Sequence, residues 1–152
     1  MHVEERNVVE REVRIAAKPA TVFEFFTDPD KMIQWKGRKA ELDPRPGGIY
    51  RVDINDQAVA RGEYVELDPP HRVVFTWGWE GGEGEHAVPP GSSRVEVTLE
   101  PDGEGTLVRL RHVDLPAAAL EIHGQGWDLF LGRLAKAAVG EDPGPDPSAE
   151  SD

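Results

Sequence analysis

The chain contains no cysteine. That absence excludes disulfides, thiolate metal ligands, thiol nucleophiles and haem attached through sulfur. Serine is scarce, at positions 92, 93, 148 and 151 only, and no G-x-S-x-G string surrounds any of them, so a nucleophile elbow is not encoded. The five histidines, at 2, 71, 86, 112 and 123, lack metal-ligand spacing such as H-E-x-x-H. Neither a metal nor another cofactor is expected. The glycines of 81–84 lack the Gly-Lys-Ser/Thr ending of a phosphate-cradling loop and introduce no helix. Long apolar runs are missing too, and no window approaches the ~18 residues of a membrane span. Met1–Arg6 lacks the apolar core of a signal peptide. A soluble, cytoplasmic protein without membrane insertion is the expectation.

Basic residues are the minority. Lys and Arg number 17 against 29 Asp and Glu, a formal net charge of −12. Binding to nucleic acid or to an anionic membrane surface needs clustered Lys and Arg, so both are disfavoured. The acidity is uneven. Residues 141–152 hold five acids, three prolines, no base and no large apolar side chain. Such a segment cannot offset its ordering entropy by burial, and it reads as a disordered tail. Glu80, Glu83 and Glu85 fall in a Gly- and Pro-rich stretch from Glu80 to Gly91, which reads as a long loop, either a lid or a plain solvated connection. With these eight acids set aside, the rest of the chain is only mildly acidic.

What is present is an ordinary globular composition, 38% hydrophobic and 30% charged over 152 residues, enough for one domain. Residues 1–140 are assigned to it and 141–152 to the tail. Asn7 to Ile15 alternates apolar and polar side chains as a strand does. Pro19 opens a short helix with Val22, Phe23, Phe25 and Phe26 on its apolar face. Asp28 caps a second, from Pro29 to Trp35. Strands follow at Lys39–Leu42, Ile49–Ile54, Ala58–Leu67, Arg72–Trp79, Ser93–Glu100 and Thr106–Val113. In the last hairpin, a loop at 101–105 would set Val97 opposite Val108 and Glu96 opposite Arg109, and alternation sends His112 inward. From Ala117 to Val139, Leu120, Trp127, Leu131, Leu134 and Ala138 fall at helical spacing. Gly124 and Gly126 inside that helix cost ~1 kcal/mol each relative to Ala, which signals a kink, close packing or space beside the helix.

An antiparallel sheet with one apolar face must be covered, and only the last helix is long enough to cover it. The architecture expected is α+β: a curved antiparallel sheet wrapped around a long C-terminal helix, with two short helices after the first strand and an internal cavity.

The order of elements and several strings carry a family resemblance. They are Pro19-Ala20-Thr21-Val22-Phe23, Asp28-Pro29-Asp30-Lys31-Met32-Ile33-Gln34-Trp35, Pro46-Gly47-Gly48-Ile49-Tyr50-Arg51-Val52, Gly62 through Pro70, Val73-Val74-Phe75-Thr76-Trp77, Thr106 through His112, and Gly126-Trp127. Across residues 7–139 the chain resembles the SRPBCC superfamily, also called START-like or helix-grip. The nearest branch is that related to activators of the heat-shock chaperone ATPase. The resemblance implies binding of a hydrophobic or amphipathic small molecule between sheet and long helix. It also admits a polyketide cyclase or hydrolase-like enzyme, or a chaperone-interacting module. The long Glu80–Gly91 insertion departs from a short hairpin turn.

Candidate cavity residues are the four tryptophans Trp35, Trp77, Trp79 and Trp127, with Tyr50 and Phe130. Each can stack on a ligand, and each can equally be core packing. His112 on an apolar strand face can orient a ligand or move a proton, although a core histidine with both nitrogens satisfied is the plainer reading. His123, near the two helix glycines, faces either the cavity or water. Asp114 and Glu121 are the available acid or base groups, and neither has an evident partner. A homodimer through an exposed sheet edge is conceivable.

Overall fold

Alternation along the chain translates directly into a seven-stranded antiparallel sheet. In the computed structural model, residues 8–55, 58–80 and 88–144 are described. The strands are β1 (Val8–Ile15), β2 (Lys39–Leu42), β3 (Ile49–Asn55), β4 (Ala58–Asp68), β5 (Arg72–Trp77), β6 (Ser93–Asp102) and β7 (Gly105–Val113). Their order across the sheet is β1-β7-β6-β5-β4-β3-β2. Consecutive strands from β2 to β7 pair as a meander, and β1 returns to the free edge of β7.

Helices α1 (Pro19–Glu24) and α2 (Pro29–Met32) lie between β1 and β2. Both begin with Pro, whose missing N–H costs nothing in a first turn. Asp28 caps α2 by accepting from the Asp30 amide at 2.9 Å. The second helix ends at Met32 rather than at Trp35 as the pattern predicted. The C-terminal element starts with a 3-10 turn at Ala117–Ala119 and continues as α3 (Leu120–Ala137). Between β7 and that turn, Asp114 takes φ 65°, a left-handed conformation that Asp tolerates better than most residues.

The inner face of the sheet carries Tyr50, Val52 and Ile54 of β3, Val73, Phe75 and Trp77 of β5, Val95, Val97 and Leu99 of β6, and Val108 and Leu110 of β7, all buried. The α3 side contributes Trp127, Phe130, Leu131 and Leu134. A fully buried leucine such as Leu134 contributes roughly 1.5–3 kcal/mol of transfer free energy. The register of β4 slips against β5 between Tyr64 and Glu66, and that of β3 against β4 between Asp53 and Asn55. Such irregularities bend a sheet.

Polar bonds lock the layers. Tyr64 donates its hydroxyl to the Phe26 carbonyl at 2.8 Å, and Trp35 donates its indole N–H to the Phe25 carbonyl at 2.9 Å. The buried Arg133 of α3 donates to the Trp35 carbonyl at 3.0 Å and to the Gly144 carbonyl at 2.9 Å. On the rim, Arg11 of β1 meets Asp128 of α3 at 2.6 Å.

Three expectations are corrected. The β6–β7 hairpin turns on Gly103 and Glu104, with Asp102 opposite Gly105 and Gly103 at φ 62°. The tight turn moves the register by two residues: Val97 faces Leu110 and Glu96 faces Arg111. A shift of two leaves every side chain on its expected face, so His112 is still inward. Second, β5 stops at Trp77, and Trp79 forms a separate bridge with Ala60. Third, Glu80 is no loose loop acid. It pairs with Arg51 at 3.0 Å and Arg61 at 3.4 Å, and the Arg51 hydrogen bond lowers its pKa.

The remainder of the acidic loop (81–87) and residues 145–152 of the acidic tail lie outside the described residues. Residues 141–144, read as the start of that tail, are held to α3 through Arg133 and through the Glu141 amide on the Lys136 carbonyl at 2.9 Å. No described helix is long and apolar enough to cross a membrane.

Candidate functional site: an aromatic cavity under the long helix

Four segments converge on one hollow. The end of β5 supplies Trp77, and the turn beyond it supplies Trp79. Gly78 between them is required by a close approach: a Cβ there would lie 1.9 Å from the Pro89 carbonyl oxygen. The Trp79 amide donates to the Val88 carbonyl, and the Arg61 amide donates to the Gly78 carbonyl. This pinning turns the Trp79 ring onto Trp77, edge to face at 4.5 Å between centroids. From α3 come Ile122, His123, Gly126, Trp127 and Phe130, spaced three or four residues apart on one helical stripe. β7 contributes His112, and the segment after α2 contributes Lys36.

Together they line a partly open cavity of about 160 Å³. Its wall is overwhelmingly apolar, as ligand pockets generally are. Ile122, 64% exposed, stands at the mouth. Gly126 has nothing within 4 Å of where a Cβ would sit. Of the three readings the sequence left open for it, space beside the helix is the one this glycine fits. Gly124 serves packing instead, since a Cβ there would meet the Arg11 guanidinium at 2.6 Å.

Lys36 is 2% exposed, yet it carries a cationic head. Its Nζ lies 4.4 Å from the Trp127 ring centroid and 5.6 Å from those of Trp77 and Phe130. Ring faces attract a cation through their quadrupoles, most strongly when water is excluded.

The histidines are fixed by indole donors. Trp127 donates its Nε1–H to Nδ1 of His112 at 3.0 Å. An indole nitrogen only donates, so Nδ1 must hold a lone pair and the neutral ring carries its proton on Nε2. That proton goes to Ser93 Oγ at 2.8 Å, and the Ser93 hydroxyl passes its own to the Trp77 carbonyl at 2.7 Å. Likewise Trp79 donates to Nε2 of His123 at 3.4 Å, which leaves the His123 proton on Nδ1. Burial, reinforced by His123 and Lys36, holds His112 well below its ordinary pKa. Burial and then Lys36 lower His123 to about 4. Both rings are neutral at physiological pH.

Of the eight residues singled out from sequence, Trp77, Trp79, His112, His123, Trp127 and Phe130 line the cavity. Trp35 and Tyr50 do not. Trp35 packs edge-on to Phe26, and Tyr50 stacks on Phe75 at 4.1 Å, both deep in the core. Large aromatics on inner faces exceed the number the cavity can use, and alternation alone cannot sort them. Asp114 and Glu121 are exposed and line no part of it. Sequence reasoning missed Lys36 and Ile122 as cavity residues, and left Gly126 open between a kink, packing and space. For Lys36 the signal was its place directly after the Trp35 that ends the helical pattern. Among the described residues no cluster of His, Asp or Glu could hold a metal ion.

A curved antiparallel sheet gripping one long helix over an aromatic cavity defines a helix-grip domain of the SRPBCC superfamily. Residues 16–138 match the Activator of Hsp90 ATPase homolog 1-like protein family, and the chain belongs to that family. It is similar to the solution structure of an AHSA1-like protein from Rhizobium etli, with 47% identity, 95% of this chain and 89% of the other covered, and a TM-score of 0.73. CalU16 from Micromonospora echinospora matches at 27% identity over 88% of this chain and 76% of its own, with a TM-score of 0.70. An Hsp90 activator from Plasmodium falciparum shares the fold at 24% identity, over 82% and 91% of the two chains, with a TM-score of 0.68. None of the curated proteins matches.

Proposed function

We propose that this protein binds a small, largely apolar molecule in the cavity between sheet and α3, without transforming it. The observation that carries this reading is the hollow itself, walled by Trp77, Trp79, Trp127 and Phe130 and kept open by Gly126. A concave, mostly apolar hollow of this kind suits an apolar guest.

A cyclase or hydrolase-like reaction is less well supported. Both nitrogens of His112 are engaged, one with Trp127 and one with Ser93. Among the described residues no carboxylate lines the cavity, so none of them offers a proton acceptor an acidic partner. The family name links relatives to a chaperone, and the Plasmodium falciparum protein is itself an Hsp90 activator. At 24% identity that likeness carries the fold alone.

The test is a thermal-shift and ligand-observed NMR panel of lipids, polyketide fragments and single-ring aromatics. The wild type is compared with Gly126→Leu, which fills the void from the helix side. Guests that bind the wild type and not Gly126→Leu support the proposal. A silent panel, or guests indifferent to the substitution, overturns it.

A further inference from the structure

The rings of the cavity wall are fixed in place. Trp77 stands edge-on to Trp79, His112 and His123, with centroids 4.5, 5.0 and 5.1 Å away and planes at 76°, 82° and 84°. His112 stands edge-on to Trp127 at 6.0 Å. The indole N–H groups of Trp127 and Trp79 are bonded to the two imidazoles, and Ser93 holds the far side of His112. Trp77, His112, Trp127 and Phe130 are all buried, so packed neighbours back them. A close-packed interior does not part freely to admit extra volume. A wider guest would have to break an indole–imidazole bond or displace the core behind it.

The bore is therefore set by the fold rather than by the guest. A cavity of about 160 Å³ is close to the ~150 Å³ that holds one benzene molecule. It falls below the ~300 Å³ at which pockets for drug-sized ligands begin. The chemistry of the wall points the same way. The sheet side supplies the rings of Trp77, Trp79 and His112, and α3 answers with those of His123, Trp127 and Phe130. Rings set edge to face leave faces and edges for one ring more. An aromatic guest gains from them a quadrupole attraction that a saturated ring of the same outline lacks. The lone pairs of both histidines are already taken by indole donors, so the guest need bring no hydrogen-bond donor.

We infer that the cavity selects a single unfused aromatic ring, seated among Trp77, Trp79, Trp127 and Phe130. This rests on the binding function proposed above and adds the chemical class and size limit of the guest. Hydrophobic transfer alone ranks guests by apolar area, the larger and more saturated first. A rigid bore walled by rings reverses that order.

The experiment uses the full chain and three probes: toluene, methylcyclohexane and 1-methylnaphthalene. Affinities are measured at pH 7.5 by calorimetry and by ligand-observed NMR. Toluene is expected to bind about fivefold more tightly than methylcyclohexane and about tenfold more tightly than 1-methylnaphthalene, although both competitors are the more hydrophobic. His123→Ala takes an imidazole out of the wall and is expected to bring 1-methylnaphthalene to within about twofold of toluene. Phe130→Ala removes a ring from the same wall and serves if His123→Ala fails to fold. Methylcyclohexane or 1-methylnaphthalene binding the wild type as well as toluene does overturns the inference and leaves the binding function standing. A size limit that the widened wall does not move overturns it too. So does failure of all three probes with larger apolar guests from the panel bound. A protein that binds neither the three probes nor any panel compound loses both readings.

Discussion

The indole N–H of Trp127 and the Nδ1 of His112, 3.0 Å apart, settle the protonation of the residue that looked most reactive in the sequence. A histidine with Nδ1 accepting from Trp and Nε2 donating to Ser93 spends both nitrogens on holding β7, β6 and α3 together. Trp127→Phe keeps most of the ring and leaves that lone pair without its donor. The expected cost is about 1–3 kcal/mol of stability, read by denaturant unfolding. Nitrogen NMR should show wild-type His112 as the Nε2–H tautomer, unchanged from pH 8 to 6. An Nδ1–H signal would contradict the assignment.

Stability should decline in mild acid, and His123 should contribute. Its pKa in the fold is about 4, against ~6.5 in an unfolded chain. Below pH ~6.5 the unfolded chain takes up a proton that the folded one refuses, until the pH reaches about 4. In that window stability falls with falling pH by at most ~1.4 kcal/mol per pH unit for this one group, and above it the contribution is flat. Urea unfolding of the wild type and His123→Gln at pH 7.5 and 5.0 checks this. The variant should lose less stability between the two values, and parallel losses would refute the prediction.

The two helix glycines should respond differently to alanine. Gly126→Ala meets open space and should stabilise by up to ~1 kcal/mol through helix propensity, while narrowing the cavity. Gly124→Ala pushes on the Arg11 guanidinium and disturbs the Arg11–Asp128 pair. The displaced group is the end of a long side chain, and a half-exposed ion pair is worth ~0–1 kcal/mol, so the propensity gain should largely cancel. Equal stabilisation of both variants in thermal melts would refute the distinction.

Residues 141–144 close over Arg133. A chain ending at Gly140 loses the carbonyls of Pro143 and Gly144 from a buried guanidinium, and relative to one ending at Gly144 this should cost on the order of 1–3 kcal/mol. Equal melting of the two truncations would refute the prediction.

The architecture was legible because strand alternation, Pro-initiated helices and one long amphipathic stripe each obey local rules. Even the mistaken β6–β7 register kept the faces right, since the error was an even number of residues. The cavity was legible in part. Trp77, Trp127 and His112 announced themselves as large or polar groups on inner faces. Lys36 did not, because a lysine beside a tryptophan reads as surface until the fold lays three rings around it. Tyr50 and Trp35 misled for the opposite reason: nothing in a periodic pattern tells a ring that lines a void from one that fills it.

The placement of the tryptophans has an optical consequence. Three of the four stand in the cavity wall, and Trp35 lies apart in the core. The protein's intrinsic fluorescence is thus weighted toward the hollow under α3, with Trp35 as an internal reference. Occupancy can be followed by emission from the natural chain, free of any attached dye.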